Sequence, residues 1–448
     1  MAELEAHFSL KELFFSKTDF KGLILTGNSV FIRVSEFSKE ELLRKPHNII
    51  RHPDIPRCVF KLFWSFLHSQ KPIAAYVKNK SKSGKFYWVF AMAFPMADGY
   101  LSVRLKPTSK FFPIVQQVYA EVLEKENAGL PMEEGIALIL EKLAGLGFNS
   151  YDEFMTAALL EELSVRDQAL AADLTENFKP IASSETRLKD LLAASVNCVD
   201  AARSAFSNSS HLSKVTQDLM NTTQEILAIS NNVKLVTTNL TISSSKLGEQ
   251  GKPLAMVSTN LERLCHEIVQ SSTHFESVFE SFQKSVMSIY FAVAISRFQI
   301  EVLNQFVEEM IGLQSSAASQ DEEPSLFANC SELKHLIADN FKNVEITAKE
   351  LTRDNKSLLQ SINALSKVTA GMDVICVVGK IEMARIQDLS SSLAARLKDM
   401  EDLTLEFKTS LRQIESECKR GLTHSGNLNA LFDKISSNLK WVEELVTV

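Results

Sequence analysis

Glycine and proline are scarce in this chain, at 15 and 11 of its 448 residues. Because both residues concentrate in turns, their scarcity favours long helices over an architecture of strands and turns. The six cysteines lie far apart, and no pair has the Cys-x-x-Cys spacing of zinc sites and thioredoxin-type redox pairs. We therefore expect these cysteines to be small buried apolar residues in a reducing compartment.

An excess of positive charge is also lacking. The 48 basic and 55 acidic residues give a net charge of −7, which argues against a general nucleic-acid-binding protein, since such a protein needs a basic face to neutralise phosphates. No run of about 18 apolar residues occurs, so no membrane span is expected. Glu3 and Glu5 stand where a signal peptide needs positive charge. We expect a cytoplasmic protein.

Residues 1–109 predict a small α+β domain. Segments rich in aromatic and β-branched residues predict strands at 23–26, 74–79, 86–94 and 100–106. Ser83-Gly84 and Asp98-Gly99 supply turns between the last three of these strands. Short helices are predicted at 38–43 and 56–68.

Beyond residue 110 the apolar residues follow helical spacing. Residues 110–180 contain three such stretches, separated at 129–131 and 145–149, and predict a helical connector. Residues 314–328 form a polar segment with a proline, which is typical of a linker. Residues 329–448 predict further helices that could fold back as a bundle, with Gly371 and Gly421 as candidate breaks.

Residues 185–313 carry the most regular pattern of the chain. Apolar residues step by threes and fours over 212–240 and again over 254–282, which is the spacing of coiled-coil heptads. Gly248-Glu-Gln-Gly251 interrupts the pattern, so we expect a long antiparallel coiled-coil hairpin with a bend near 246–252. Because long heptad stripes need burial, we also expect self-association through this region.

The segment Pro46-His-Asn-Ile-Ile-Arg-His-Pro-Asp-Ile-Pro56 is the most distinctive of the N-terminal domain. Its three prolines favour a fixed loop, which could hold Arg51, His52 and Asp54 against an anionic or polar heterocyclic ligand. Together with Trp64, these groups suit a planar cofactor. The alternative is structural: Arg51 and Asp54 form a local ion pair, His52 caps a helix, and Trp64 belongs to the core.

Several classes of site find no support in the residues. His47 and His52 do not share a helix face and no third ligand is evident, so no metal site is expected. Haem bound through a single histidine is less expected than a flat organic cofactor. We find no nucleophile elbow, Walker loop, His-Glu-x-x-His motif or paired carboxylates, and therefore expect no enzyme.

The same residues carry a family resemblance. The 46–56 string, with Asn28-Ser-Val-Phe31, Phe60-x-x-x-Trp64, Val77-Lys-Asn79 and Leu101-Ser-Val-Arg104, resembles the PAS domain of bacterial aerotaxis receptors over about residues 20–108. The resemblance implies a five-stranded antiparallel sheet with short helices. Receptors of this type bind FAD and report redox state. By resemblance the cofactor-binding residues would be Asn28, Arg51, His52, Asp54 and Trp64.

The hairpin bend carries a second resemblance. Asn239, Ile242 and Gly248-Glu-Gln-Gly251 match, in register, the tip of methyl-accepting chemotaxis receptors. The tip of these receptors docks a coupling protein and a histidine kinase and associates with other receptors. By resemblance the partner-binding residues would be Asn239, Ser243, Lys246 and Glu249. Ser243 replaces the family's glutamate and Lys246 its arginine, which removes charge-assisted pairing and implies weakened kinase coupling.

The expectation that follows is a soluble bacterial signal-transduction protein. A PAS domain senses a redox or oxygen-linked state, through bound FAD, and relays it through the connector to a receptor-like hairpin. The alternative is a cofactor-free interaction or scaffold protein, in which the PAS domain and coiled coil only mediate assembly.

Overall fold

The computed structural model describes residues 4–172, 186–246, 248–315, 323–385 and 391–446. The strands are β1 Phe14–Thr18, β2 Ile24–Gly27, β3 Ile73–Lys80, β4 Phe86–Met96 and β5 Gly99–Leu105. The helices are α1 Ser29–Ser35, α2 Lys39–Leu42, α3 Arg57–His68, α4 Phe111–Asn127, α5 Met132–Gly145, α6 Tyr151–Ala172, α7 Thr186–Ser245, α8 Lys252–Ser315, α9 Glu323–Ala384 and α10 Ser391–Val446. The predicted α+β domain followed by an all-helical region is confirmed.

The five strands form one antiparallel sheet in the order β2-β1-β5-β4-β3. The predicted turns at Ser83-Gly84 and Asp98-Gly99 join β3 to β4 and β4 to β5. Gly99 is required where it stands, because a Cβ there would lie 1.9 Å from the carbonyl oxygen of Thr18. The turn therefore lets β5 lie directly beside β1.

β1 is the strand that patterning did not locate. It lies between β2 and β5, and all five of its residues are buried, including Lys17 and Thr18. A strand that is covered on both faces shows no alternation of apolar and polar residues, so the period of two that identifies a half-buried strand is absent.

The two faces of the sheet are covered by different elements. On the inner face, α1, α3 and the 46–56 loop enclose a core that includes Phe14, Phe31 and Tyr87. On the outer face lies α6, whose Glu162 carboxylate accepts a hydrogen bond from the Tyr76 hydroxyl at 2.8 Å. The sheet is thus buried on both sides, as the burial of β1 requires.

By contacts the chain divides into two compact units. The first comprises Met1–Asp200, Ala294–Asn340 and Ser437–Val448, so it contains the sheet domain and the adjoining ends of the long helices. The second comprises Ala201–Val293 and Phe341–Ser436, which are segments of α7, α8, α9 and α10.

In the second unit these four segments pack as a bundle along the predicted apolar stripes. The buried stripe residues include Leu212, Val215, Leu219, Ile226, Val233, Leu254, Leu261, Ile268, Phe275 and Phe282. A contact of 3.1 Å between the Ser230 and Ser272 hydroxyls links α7 to α8, and an ion pair of 2.6 Å between Lys380 and Glu401 links α9 to α10. The predicted antiparallel hairpin is confirmed, and its stripes are buried within one chain.

The hairpin turn lies where the glycines predict it. α7 ends at Ser245, a 3₁₀ turn spans Gly248–Gly251, and α8 begins at Lys252. Gly248 has φ +58°, in the left-handed region that favours glycine.

Gly371 and Gly421, considered as breaks, do not interrupt the helices, because α9 and α10 continue through them. Their lack of a side chain allows close packing instead: a Cβ on Gly421 would lie 2.8 Å from Asn355 Nδ2. α9 ends at Ala384 and α10 begins at Ser391. Within the predicted linker 314–328, residues 316–322 lie outside the described residues.

Two described helical stretches, Lys252–Met310 and Leu333–Ala384, are long and apolar enough to cross a membrane by length and composition. The first is mainly buried inside the protein, as a core helix is. The second exposes a stripe on α9, formed by Val374, Val377, Val378 and Ile381. Two such helices are weak evidence of a membrane protein.

Candidate ligand-binding site

A cavity of about 360 Å³ borders the inner face of the sheet. Because side chains alternate along a strand, Tyr100, Ser102 and Arg104 of β5 all face it. Opposite the sheet, α3 and the 46–56 loop supply the remaining wall. The volume lies within the range of small-molecule sites, roughly 300–1,000 Å³, and near its lower end.

One end of the cavity is aromatic and partly open. The rings of Trp64 and Tyr100 meet edge to face with centroids 5.4 Å apart, and Phe60 and Phe63 of α3 add to the same surface. Gly22 has φ +75°, and a Cβ there would lie 3.1 Å from the Trp64 indole. Glycine thus lets the chain pass close beneath the indole, and the resulting walls suit a flat ring.

The other end of the cavity is buried and cationic. Arg104, only 4% exposed, donates through Nη2 to Ser16 Oγ and to His47 Nε2, both at 2.7 Å. Its Nη1 is buried without a hydrogen-bond partner among the described residues. Burial lowers the pKa of Arg104 to about 10, so the guanidinium keeps its charge at neutral pH.

His47 is neutral in this arrangement. Burial, and then the neighbouring charge of Arg104, lower the pKa of His47 well below its usual range. Since a guanidinium can only donate, His47 Nε2 must accept, which leaves the proton on Nδ1. The ring is stacked on Phe31, with centroids 5.9 Å apart.

Arg51 lines the cavity from the 46–56 loop. Its guanidinium donates to the carbonyl oxygen of Ile55 at 2.9 Å and lies 4.4 Å above the ring of Phe60. The alternative, an ion pair between Arg51 and Asp54, is not formed; Asp54 pairs with Lys78 instead, at 2.5 Å. The loop therefore holds Arg51 toward the cavity, as its prolines suggested.

Of the five predicted cofactor-binding residues, Arg51 and Trp64 line the cavity, whereas Asn28, His52 and Asp54 are absent from its lining. His52 is buried, and its Nδ1 accepts a hydrogen bond from the Asp54 amide at 3.2 Å. These two residues shape the loop that carries Arg51.

Asn28 has a structural position. Its Oδ1 accepts hydrogen bonds from the amides of Phe31 and Phe15, and its Nδ2 donates to the carbonyl oxygen of Leu13. Asn28 thus caps α1 and ties that helix to β1, the strand that carries Ser16 into the cavity.

His47 and Arg104 lie in strings that carry the family resemblance, but sequence reasoning did not place them, or Ser16, in the cavity. A signal for Arg104 was present, since alternation along 100–104 places it on the same strand face as Tyr100 and Ser102. No local signal could pair it with Ser16, because the two residues are 88 positions apart and meet only when β5 pairs with β1.

Residues 24–102 match the family model described as PAS fold. The N-terminal region is a PAS domain. The aerotaxis receptor of Escherichia coli (strain K12) is 38% identical over 119 residues, which cover 25% of this chain and 23% of the receptor. The chain thus matches about a quarter of the length of that curated relative, and the PAS resemblance is confirmed.

Two solved structures also match the PAS domain at 20% identity and a TM-score of 0.20. One is the PAS domain of a protein from Colwellia psychrerythraea, with 21% of this chain and 85% of that chain covered. The other is the light state of the blue-light photoreceptor Aureochrome1 LOV, with 25% and 90% covered. At this TM-score neither likeness supports an argument.

The outer face of the PAS sheet contacts the C-terminal end of α8 within the first unit. The rings of Phe15 and Phe306 meet edge to face, with centroids 4.7 Å apart. Nearby, Glu309 Oε1 accepts a hydrogen bond of 2.5 Å from the Ser29 hydroxyl. β1 therefore has Ser16 in the cavity and Phe15 against α8.

A buried ion-pair network fixes the same end of α8 to α6. The Glu301 carboxylate pairs with Arg166 of α6 at 2.5 Å and with Arg297 at 2.9 Å. Arg297, which is fully buried, also pairs with Asp167 of α6. Each charge has an opposite partner, so the network holds α8 in one position against α6.

The predicted tip residues lie around the hairpin turn. Asn239 and Lys246 are exposed, and the carbonyl oxygen of Asn239 accepts a hydrogen bond from the Ser243 hydroxyl at 2.8 Å. Glu249 is exposed and pairs with Lys252 at 2.5 Å. Their role in partner binding stays a prediction. Among the described residues no three His, Cys, Asp or Glu side chains are grouped as a metal site requires.

Proposed function

We propose that this chain is a cytoplasmic signal-transduction protein whose PAS domain senses a redox or oxygen-linked state through bound FAD. The observation that carries the proposal is the cavity, which has aromatic walls at one end and a buried guanidinium at the other. One nitrogen of that guanidinium has no hydrogen-bond partner among the residues that the structure describes. The similarity of 119 residues to an aerotaxis receptor supports the same conclusion.

The residues present fit a flavin. A cavity near the lower end of the small-molecule range suits a planar ring system better than an entire dinucleotide, so the rest of FAD would extend past the open end. Trp64, Phe60 and Phe63 would flank the ring, while Arg51 and Lys21 offer positive charge for phosphate groups. When bound, the flavin would supply a reversible redox change.

The route from cavity to helices is proposed to run through β1. Ser16 hydrogen-bonds to Arg104 inside the cavity, and the adjacent Phe15 packs on Phe306 of α8. A shift of β1 at Ser16 would therefore move the surface on which α8 rests. α8 is one continuous helix from Lys252 at the hairpin turn to Ser315, so it is suited to relay a change in packing.

The proposed output is the hairpin tip, with coupling to the chemotaxis kinase weaker than in receptors of this type. Ser243 and Lys246 there lack the planar, charge-assisted pairing that glutamate and arginine provide. The proposed partners are the chemotaxis coupling protein, the kinase or other receptors.

Self-association is also part of the proposal. Burial of the stripes does not require it, because the stripe residues are buried within one chain and Gly371 of α9 and Gly421 of α10 lie against Leu264, Leu212 and Phe282. Light scattering on the purified chain measures self-association directly, and a monomer at all concentrations would reject it.

The experiment that tests the function is the absorption spectrum of the purified full chain, with any chromophore released by heat and identified. The expected result is a two-band flavin spectrum at near-stoichiometric occupancy. A Soret band would replace flavin with haem. A colourless chain that also fails to bind added FAD would support the cofactor-free scaffold alternative instead.

A further inference from the structure

The buried end of the PAS cavity holds a positive charge whose described partners are all neutral. Arg104 donates to Ser16 Oγ and His47 Nε2, and no carboxylate among the described residues forms an ion pair with it. The ring of Phe31, 5.5 Å from the guanidinium carbon, offers only the weak attraction of an aromatic face. A buried charge without a counter-charge is costly, and proteins seldom keep one without a use.

The orientation of Arg104 points to a ligand. Its side chain lines the cavity and is only 4% exposed, and its Nη1 has no hydrogen-bond partner in the part of the chain that the structure describes. A guanidinium offers donors in a fixed planar fork, and within the described ranges the hydrogen bonds of the Arg104 guanidinium to other residues come from Nη2. The free arm of the fork, at Nη1, is suited to an acceptor edge or a negative charge on a planar molecule.

Ser16 and His47 can satisfy their hydrogen bonding without Arg104. Ser16 Oγ and His47 Nε2 lie 3.2 Å from one another, so they would stay hydrogen-bonded if the guanidinium were removed. The two cations near the open end of the cavity, Lys21 and Arg51, differ from Arg104: Lys21 is exposed and Arg51 is partly exposed. Water can solvate them, whereas it cannot solvate Arg104 in the same way.

We propose that Arg104 is the anion-recognition residue of this cavity, and that it binds the negatively charged edge of a planar heterocyclic ligand. The inference rests on the proposed function, in which that ligand is a flavin. The flavin ring takes up two electrons and one proton to become an anion, with its negative charge on the pyrimidine edge. Arg104 therefore stabilises the reduced ring more than the oxidised ring and raises the reduction potential.

The test uses the full chain reconstituted with FAD and titrated with dithionite against a reference dye. In Arg104→Gln, oxidised FAD still binds, but the affinity for reduced over oxidised FAD falls about tenfold, which lowers the potential by about 30 mV for a two-electron couple. Arg104→Lys keeps the charge and gives a smaller shift. The matched control is Lys106→Gln, which removes a positive charge just after β5 from a residue outside this cavity lining and leaves the potential unchanged.

A second measurement needs no flavin. Arg104 is a buried charge with neutral partners, so it destabilises the ligand-free chain if its role is ligand binding. In that case Arg104→Met raises the melting temperature of the ligand-free chain. It lowers the melting temperature if the arginine is structural. FAD should stabilise the wild type more than Arg104→Met.

The outcomes separate the two proposals. A wild type that binds FAD, with an unchanged potential in Arg104→Gln and a lowered melting temperature in Arg104→Met, overturns the role of Arg104 and leaves the flavin function standing. A wild type that binds no FAD in either redox state overturns both. If Arg104→Gln fails to fold, the potential of Arg104→Lys and the stability of Arg104→Met decide.

Discussion

Phe15 and Phe306 meet edge to face across the outer side of the PAS sheet, with ring centroids 4.7 Å apart. They are 291 positions apart in the chain, and each is 1% exposed. The neighbour of Phe15 on β1 is Ser16, whose hydroxyl accepts a hydrogen bond from Arg104 in the cavity. One strand thus contacts the proposed cofactor site on one face and a long helix on the other.

Phe306→Leu tests whether this contact carries the signal. The substitution costs about 1 kcal/mol of stability, because most of the apolar volume is kept. In the wild type we expect hydrogen exchange over residues 294–310 to differ between oxidised and reduced cofactor, and in Phe306→Leu we expect that difference to shrink. Phe279→Leu, on the same helix but in the second unit, is the control. An equal loss in both variants would reject the β1 route.

Arg51→Ala and Trp64→Ala test the cavity as the flavin site. Each removes a lining group without opening the main core, so we expect loss of the bound chromophore while the far-ultraviolet circular dichroism is retained. Trp88→Ala is matched to the second variant, since Trp88 packs on Phe112 and does not line this cavity. Retention of flavin in both cavity variants would place the cofactor elsewhere.

Glu301→Gln tests the ion-pair network of the first unit. It leaves Arg166 and Arg297 buried with less negative charge to offset them, so we expect a loss of about 3 kcal/mol in the free energy of unfolding. Glu267→Gln breaks the exposed Arg263–Glu267 pair and should cost no more than about 0.5 kcal/mol. Urea denaturation measures both, and similar losses would contradict the assigned role of burial.

The buried cysteines predict resistance to alkylation. Burial raises the pKa of the Cys58, Cys330, Cys376 and Cys418 thiols to about 12, against an ordinary 9.0. At neutral pH iodoacetamide should label the native chain slowly and the denatured chain at all six cysteines, as mass spectrometry would record. Rapid labelling of the native chain would contradict this prediction.

The same thiols predict a pH dependence of stability. An acid whose pKa is raised on folding favours the folded state fully below its unfolded pKa. The contribution is therefore complete below pH 9.0 and is lost as the pH rises from there toward 12. Urea midpoints measured across this range should fall, and a Cys330→Ala, Cys376→Ala double variant should show a shallower fall.

The hairpin tip predicts a gain of function. Ser243→Glu combined with Lys246→Arg restores charge-assisted pairing, so we expect stronger stimulation of the chemotaxis histidine kinase in the presence of its coupling protein. Thr238→Glu, at an exposed position on the same helix, is the control for added negative charge. Equal effects of both changes, measured as the rate of kinase phosphorylation, would reject the assignment of the tip.

Features set by neighbouring residues are predictable from this sequence, whereas features set by distant contacts are not. The hairpin was predictable because its stripe repeats locally, from Leu212 to Leu240 and again from Leu254 to Phe282. The predicted helix breaks at Gly371 and Gly421 are wrong. In sequence, a glycine that allows close packing of a neighbouring helix cannot be told from a glycine that ends a helix.

The cavity was only half predictable. Arg51 and Trp64 belong to a dense local string and a helix that follows it, and both line the cavity. The same resemblance predicted Asn28 as a cofactor-binding residue, yet its side chain caps α1 and accepts a hydrogen bond from β1. A motif identifies the residues of a region, but whether each side chain points into the cavity depends on the backbone around it.

The sequence by itself determined the order of the elements: a PAS domain, a helical connector and a hairpin with its turn at Gly248–Gly251, because turn residues and apolar periods act over short distances. The tertiary structure alone decided that Arg104 meets Ser16 and His47, and that Phe306 rests on Phe15. Strand pairing and helix packing bring residues together across dozens to hundreds of positions. The charge, burial and free hydrogen-bonding arm of Arg104 exist only once that packing is complete.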